Sequence, residues 1–122
     1  MKPLKFSLIL LVSFMSALTI QAQYTGPGAD VELTTVKDVI DNASKLDKSD
    51  RHVKVKGFVL EQINDDTFWF KDESGKIKVE IEKKQMPESP FDETTEVILI
   101  GEVDYDLLEG AEIEADSVKI NQ

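Results

Sequence analysis

The stretch DDTFWFKDESGKIKVEI, residues 65–81, decides the fold. Ile77, Val79 and Ile81 alternate with charged residues, the period-two pattern of a half-buried strand. Phe68 and Phe70 share one face of the preceding segment, and Trp69 points the other way. Glu73-Ser74-Gly75 between the two segments supplies a short hairpin loop, and Asn64-Asp65-Asp66 ahead of them a tight turn. The simplest register puts Phe68 and Phe70 into a core with Ile77, Val79 and Ile81. Trp69 then stands on the outer face among Thr67, Lys71, Lys78 and Glu80.

Three further strands flank this hairpin. HVKVKGFVLEQI, from His52, alternates Val53 and Val55 against Lys54 and Lys56. Gly57 interrupts the alternation and suggests a bulge or sharp coil. KKQMPESPFDE holds two prolines and no strand pattern, so it reads as a connection with at most one helical turn. TEVILIGEVDYD is the fourth strand, with Val97, Leu99, Gly101 and Val103 on one side, and LLEGAE reads as a loop. IEADSVKI is the fifth; its buried positions shift from Ile113 and Ala115 to Val118 and Ile120, which predicts a bulge near Ser117. Five short strands, a bent first strand and a break between the third and fourth match a five-stranded OB-fold Greek-key barrel. A sandwich would need about seven. The fold class is therefore mainly β.

Ahead of the strands, TTVKDVIDNASKL begins with a Thr that can cap a helix, and Asp38 lies three residues after Thr35. Val36, Val39, Ile40 and Ala43 then form the stripe of a short amphipathic helix. Lys45–Arg51 is polar and reads as a loop. Residues 23–33, QYTGPGADVEL, read as an extended arm. Residues 1–22 have a basic start at Lys2 and Lys5, an apolar run from Phe6 to Ile20 and Ala22 at the expected cleavage point, the layout of a secretory signal peptide. The apolar run is too short to span a bilayer, which takes about 20 residues, so no stable membrane insertion is expected after cleavage. Residues 34–122 form one OB-fold domain, with enough chain for a single core.

The whole chain carries a net charge of −10, and the leader holds two lysines and no acid, so the domain is more acidic still. Such a surface repels nucleic-acid phosphates and favours cationic partners. There is no cysteine, so packing alone holds the domain together. The one histidine, His52, reads as a surface residue at a strand start, which leaves no catalytic triad. No site of His and Cys ligands is available, no phosphate loop is present, and no metal or cofactor is assigned. The protein reads as a binding protein rather than an enzyme.

An OB barrel binds through the outer face of its second and third strands and the loops flanking them. Asp65 and Asp66 sit in the first loop. Asp104, Asp106, Glu109 and Glu112 flank the last, and the fold is expected to bring both loops to one side. Converging carboxylates repel one another unless a cation sits among them. The expected partner is a cationic small molecule, a cationic peptide or a cation. Asp104-x-Asp106 is too short for an EF-hand, and the competing reading makes these acids solvated turn residues, with Asp65 capping its own turn. Trp69 is the candidate stacking residue, with Lys71 and Lys78 beside it; packing or a cation–π contact is the plainer role. Docking of a partner protein and binding of an envelope sugar such as a peptidoglycan fragment are the alternatives.

VKVKG, QINDDTFWFKDESGKIKVEI, VILIGEVDYD and IEADSVKI together resemble the bacterial OB-fold (BOF) family, the YgiW/YdeI-type periplasmic proteins. The resemblance covers nearly all of the chain after the leader. It implies a periplasmic or secreted OB barrel with a helix ahead of the first strand, a role in envelope stress tolerance, and cationic or small charged ligands. It supplies no catalytic activity and no fixed ligand residues.

Overall fold

A computed structural model describes residues 30–122; the leader and most of the N-terminal arm lie outside the described residues. The elements are β1 (Leu33–Thr34), α1 (Val36–Asp41), α2 (Ala43–Ser49), β2 (His52–Gln62), β3 (Thr67–Lys71), β4 (Lys76–Glu80), a 3-10 turn (Lys83–Gln85), β5 (Glu96–Asp106) and β6 (Gly110–Ile120). The sheet order is β1-β2-β3-β4-β6-β5, and β2 also pairs with β5. That extra pairing closes β2 to β6 into a five-stranded ring, so the expected OB barrel is present. The first half of β2 pairs with β5, and β3 pairs only from Phe58 onward. β1 lies parallel to β2 at Lys54 and Val55. It therefore covers the edge of β2 that β3 does not reach, which removes an unpaired strand edge.

Alternation puts one set of side chains inside. Val55, Phe70, Val79, Val97, Leu99 and Ile113 are fully buried. Phe68 packs against this core from a partly buried position. Val36, Val39 and Ala43 belong to the same core, whereas Ile40, expected on the helix stripe, is exposed. The hairpin between β3 and β4 holds the helix start. Asp72 accepts from the Val36 amide at 2.9 Å, and the Ser74 hydroxyl accepts from the Lys37 amide at 2.9 Å. Thr35 caps α1 by accepting from the Asp38 amide, as the spacing predicts.

Four local expectations need correction. The helical region does not stop before Lys45. After a break at Asn42 it continues as α2 to Ser49, because Leu46 packs on the core and Asp47 accepts from the Tyr105 amide on β5 at 3.0 Å. The β2 ladder shows no register shift at Gly57; the irregularity lies between Val59 and Gln62. Gly57 is instead a point of close approach, since a Cβ there would lie 2.0 Å from the Lys71 carbonyl oxygen. The last loop is short, because β6 begins at Gly110 and LLEGAE contributes only Leu107–Glu109 to the turn. Asn64, not Asp65, organises the first turn: its Oδ1 accepts from the amides of Asp66 and Thr67. The bulge expected near Ser117 is present, with Asp116 as the extra residue between the pairs Gly101–Ala115 and Ile100–Ser117.

Candidate functional site

The register assembles the outer face from single strands into rows. Trp69 on β3 faces Lys78 on β4, Lys78 faces Glu112 on β6, and Glu112 faces Asp104 on β5. The next row runs Thr67, Glu80, Glu114, Glu102 and His52. Directly opposed side chains on one face stand about 5 Å apart at Cβ. Two adjacent rows therefore bring Glu80, Glu102, Asp104, Glu112 and Glu114 onto one patch of β4, β6 and β5.

This crowding is felt by the acids themselves. Burial pushes the Glu112 carboxyl above the usual glutamate range, and Glu80, Asp104 and Glu114 push it further, against the pull of Lys78. Glu114 is raised first by burial and then by Glu80, Asp104, Glu102 and Asp116. Like charges on neighbouring strands disfavour ionisation. Asp72 shifts the other way. Burial pushes it up, but hydrogen bonds from the Ser74 hydroxyl and the Val36, Ser74 and Gly75 amides outweigh that and hold it low.

These opposite shifts set the pH dependence. A raised carboxyl contributes stability that is complete below its ordinary pKa and lost as pH rises through the raised value. A lowered one contributes stability present above its ordinary pKa and lost as pH falls through the depressed value. Acidifying from about pH 7 to about pH 5 should therefore raise the melting temperature, and acidifying well below about pH 4 should lower it again. Circular-dichroism melts across this range check the prediction. Each glutamate is worth less than about 1 kcal/mol at such exposure, so the rise is a few degrees. A melting temperature that falls steadily from neutral pH contradicts it.

Of the residues expected to bind, Trp69, Lys78, Glu112 and Asp104 come together in one row. Asp104 lies within β5, the expected fourth strand, and Glu112 lies within β6 rather than in the loop. Lys71 lies two positions along β3 from Trp69 and pairs with Lys76. The acidic loops do not converge. Thr67 pairs with Glu80 at one end of the β3–β4 hairpin, next to Asp65 and Asp66. Gly110 precedes the Lys78–Glu112 pair, so Leu107–Glu109 lie at the other end. Asp66 is turned onto the Thr67 hydroxyl at 3.2 Å. Asp106 accepts from the Leu108 and Glu109 amides and so holds its turn. Asp65 and Glu109 are exposed. Trp69 is half-buried, with the Lys76 ammonium 5.0 Å and the Lys78 ammonium 6.0 Å from its ring centre. The protein's own lysines thus already occupy the ring that a ligand would stack on.

Sequence reasoning missed Glu80, Glu102, Glu114, Asp116 and His52. Outward alternation marks the glutamates on each strand, but the β4–β6 pairing that makes them neighbours joins distant parts of the chain. His52 is not a plain surface residue. Its side chain is only 23% exposed, and its Nε2 lies 2.8 Å from Asp116 Oδ2 and 3.6 Å from Glu102 Oε1.

The comparisons agree with this architecture. The chain is 37% identical over 120 residues, 98% of each chain, to the calcium-regulated OB-fold protein CarO of Pseudomonas aeruginosa. It superposes on the hypothetical protein ygiW from E. coli with a TM-score of 0.64 and 31% identity, covering 83% of this chain and all of that one. The telomere capping protein Ten1 from Saccharomyces pombe matches with a TM-score of 0.51, covering 72% of this chain and 78% of that one, at 12% identity, and shares the fold alone. The family model described as bacterial OB fold (BOF) protein matches residues 15–120, and the chain belongs to that family.

Proposed function

We propose that this protein is a non-enzymatic binding protein of the bacterial envelope, exported by its leader to the periplasm or beyond, where it captures a cationic ligand and contributes to stress tolerance. The observation that carries the reading is the double row of carboxylates on the outer face of β4, β6 and β5. Holding these charges together costs stability, and a bound cation offsets that cost. The name of the relative CarO, calcium-regulated, places Ca²⁺ among the probes beside a polyamine and a basic peptide.

Isothermal titration with spermidine, a lysine-rich peptide and Ca²⁺ tests the reading. At least one should bind saturably at low salt and weaken steeply as ionic strength rises, since exposed charge pairs are screened beyond about 10 Å at 0.1 M. Glu112→Gln with Glu114→Gln should reduce that affinity at least about tenfold, a loss of about 1.4 kcal/mol. The same pair should raise the melting temperature of the free protein at neutral pH. Absence of heat with all three probes would sink the proposal, as would affinity unchanged in the double variant.

A further inference from the structure

The geometry points to a second site on this barrel: a divalent transition-metal site formed by His52, Glu102 and Asp116. It goes beyond the capture of cations by the carboxylate rows: it shares Glu102 with them, but its nitrogen ligand and Asp116 lie outside those acids, so it does not depend on that capture. The three residues come from three strands. His52 opens β2, Glu102 is its ladder partner on β5, and Asp116 is the extra residue of the β6 bulge. A bulge of this kind bends the strand and re-aims a side chain. One donor atom from each residue lies within 4.8 Å of the other two.

The spacing fits a small ion. Ligand atoms about 2.1 Å from zinc lie about 3.0 Å apart at octahedral and about 3.4 Å apart at tetrahedral angles. His52 Nε2 stands 2.8 Å from Asp116 Oδ2 and 3.6 Å from Glu102 Oε1, which brackets both. Seating an ion opens the shorter contact by about half an ångström and draws in any donor pair that stands wider, all three donors lying within 4.8 Å of one another. The ligand set chooses the metal class. An imidazole nitrogen with two carboxylates suits Zn²⁺, Ni²⁺ or Co²⁺, whereas Ca²⁺ and Mg²⁺ prefer oxygen ligands alone. Three protein ligands leave at least one position for water or an exchanging ligand, so the site is open and its metal exchangeable. The side chains of His52, Glu102 and Asp116 are partly exposed, so an ion enters without unfolding the barrel. Glu114, opposite Glu102 and on the same strand as Asp116, adds negative charge beside it.

The chain has a single histidine, which makes the test direct. Untagged protein is titrated with Zn²⁺ while the imidazole resonances are followed by NMR, with Ca²⁺ and Mg²⁺ as controls. Zn²⁺ should shift the one imidazole saturably, and Ca²⁺ and Mg²⁺ should not displace it. Asp116→Asn and Glu102→Gln should each weaken Zn²⁺ at least about tenfold by the same signal, and acidification should weaken it because protons compete for the nitrogen. Both variants change exterior side chains, and a melt checks that they remain folded. An imidazole unmoved at millimolar Zn²⁺, or equal titrations in wild type and both variants, overturns the site. Zinc binding at His52 with no spermidine, peptide or Ca²⁺ binding upholds this site while removing the proposal for the carboxylate rows.

Discussion

Phe70→Ala should cost about 3–5 kcal/mol of folding stability, a large share of the 5–15 kcal/mol that a domain holds. Phe70 is fully buried and lies among the core residues Val59, Ile77 and Val79. Removing its ring takes away the transfer free energy of the largest fully buried side chain among the described residues and leaves a cavity that a closed barrel cannot collapse to fill. Trp69→Ala, one position away, should cost less, about 1–2 kcal/mol. The indole is half-buried, and its visible partners are two lysine ammonium groups, each worth about 0.5–1 kcal/mol at an exposed site. Urea unfolding followed by circular dichroism compares the two, since the tryptophan variant loses the only indole. Similar losses in both variants would refute the assignment of inner and outer faces.

Gly101→Val should be comparably damaging. A Cβ at Gly101 would lie 2.1 Å from the Glu114 carbonyl oxygen, 2.8 Å from its carbon and 3.0 Å from the Ala115 Cα. All three are backbone atoms of the paired strand, so no rotamer relieves the clash. The strands must separate beside the β6 bulge, at a cost above the 1–3 kcal/mol of ordinary overpacking. At about 4–8 °C per kcal/mol for a domain of this size, the melting temperature should drop by more than about 12 °C. Gly75→Ala is the control: its added Cβ would meet only Val36 Cγ1 at 3.7 Å, an ordinary contact. A Gly101 variant that melts with the wild type would show that the strands yield where the geometry says they cannot.

What the chain reveals before folding is what local period encodes. Alternation in KIKVEI placed Ile77, Val79 and Ile81 inside, and the aromatic triplet divided as expected, with Phe70 in the core and Trp69 outside. The helix beyond Asn42 was hidden because its docking depends on two tertiary contacts, Leu46 on the core and Asp47 on the Tyr105 amide. Neither has a local signature. Gly57 was legible as an irregular point but not as a close approach, since its neighbour is the Lys71 carbonyl across the ladder. The candidate site was half legible. Asp104, Glu112, Lys78 and Trp69 stand out in the sequence, yet there the acids only flank a loop and form no row. Only the parallel pairing of β4 with β6 sets Glu80 beside Glu114 and turns scattered acids into rows.

The closure of β2 onto β5 also dictates when the barrel can form. His52 to Phe58 pair with Glu102 to Glu96, segments separated by about forty to fifty residues, so their union pays loop entropy that local hairpins do not. The β3–β4 hairpin can form as soon as residue 80 is free, because its partners are adjacent. The first strand of the ring must wait for one of the last. A chain delivered amino end first therefore holds β2 with half its hydrogen bonds unmade until β5 arrives; during that interval β1 and β3 cover one edge of β2 while the edge that β5 takes stays open.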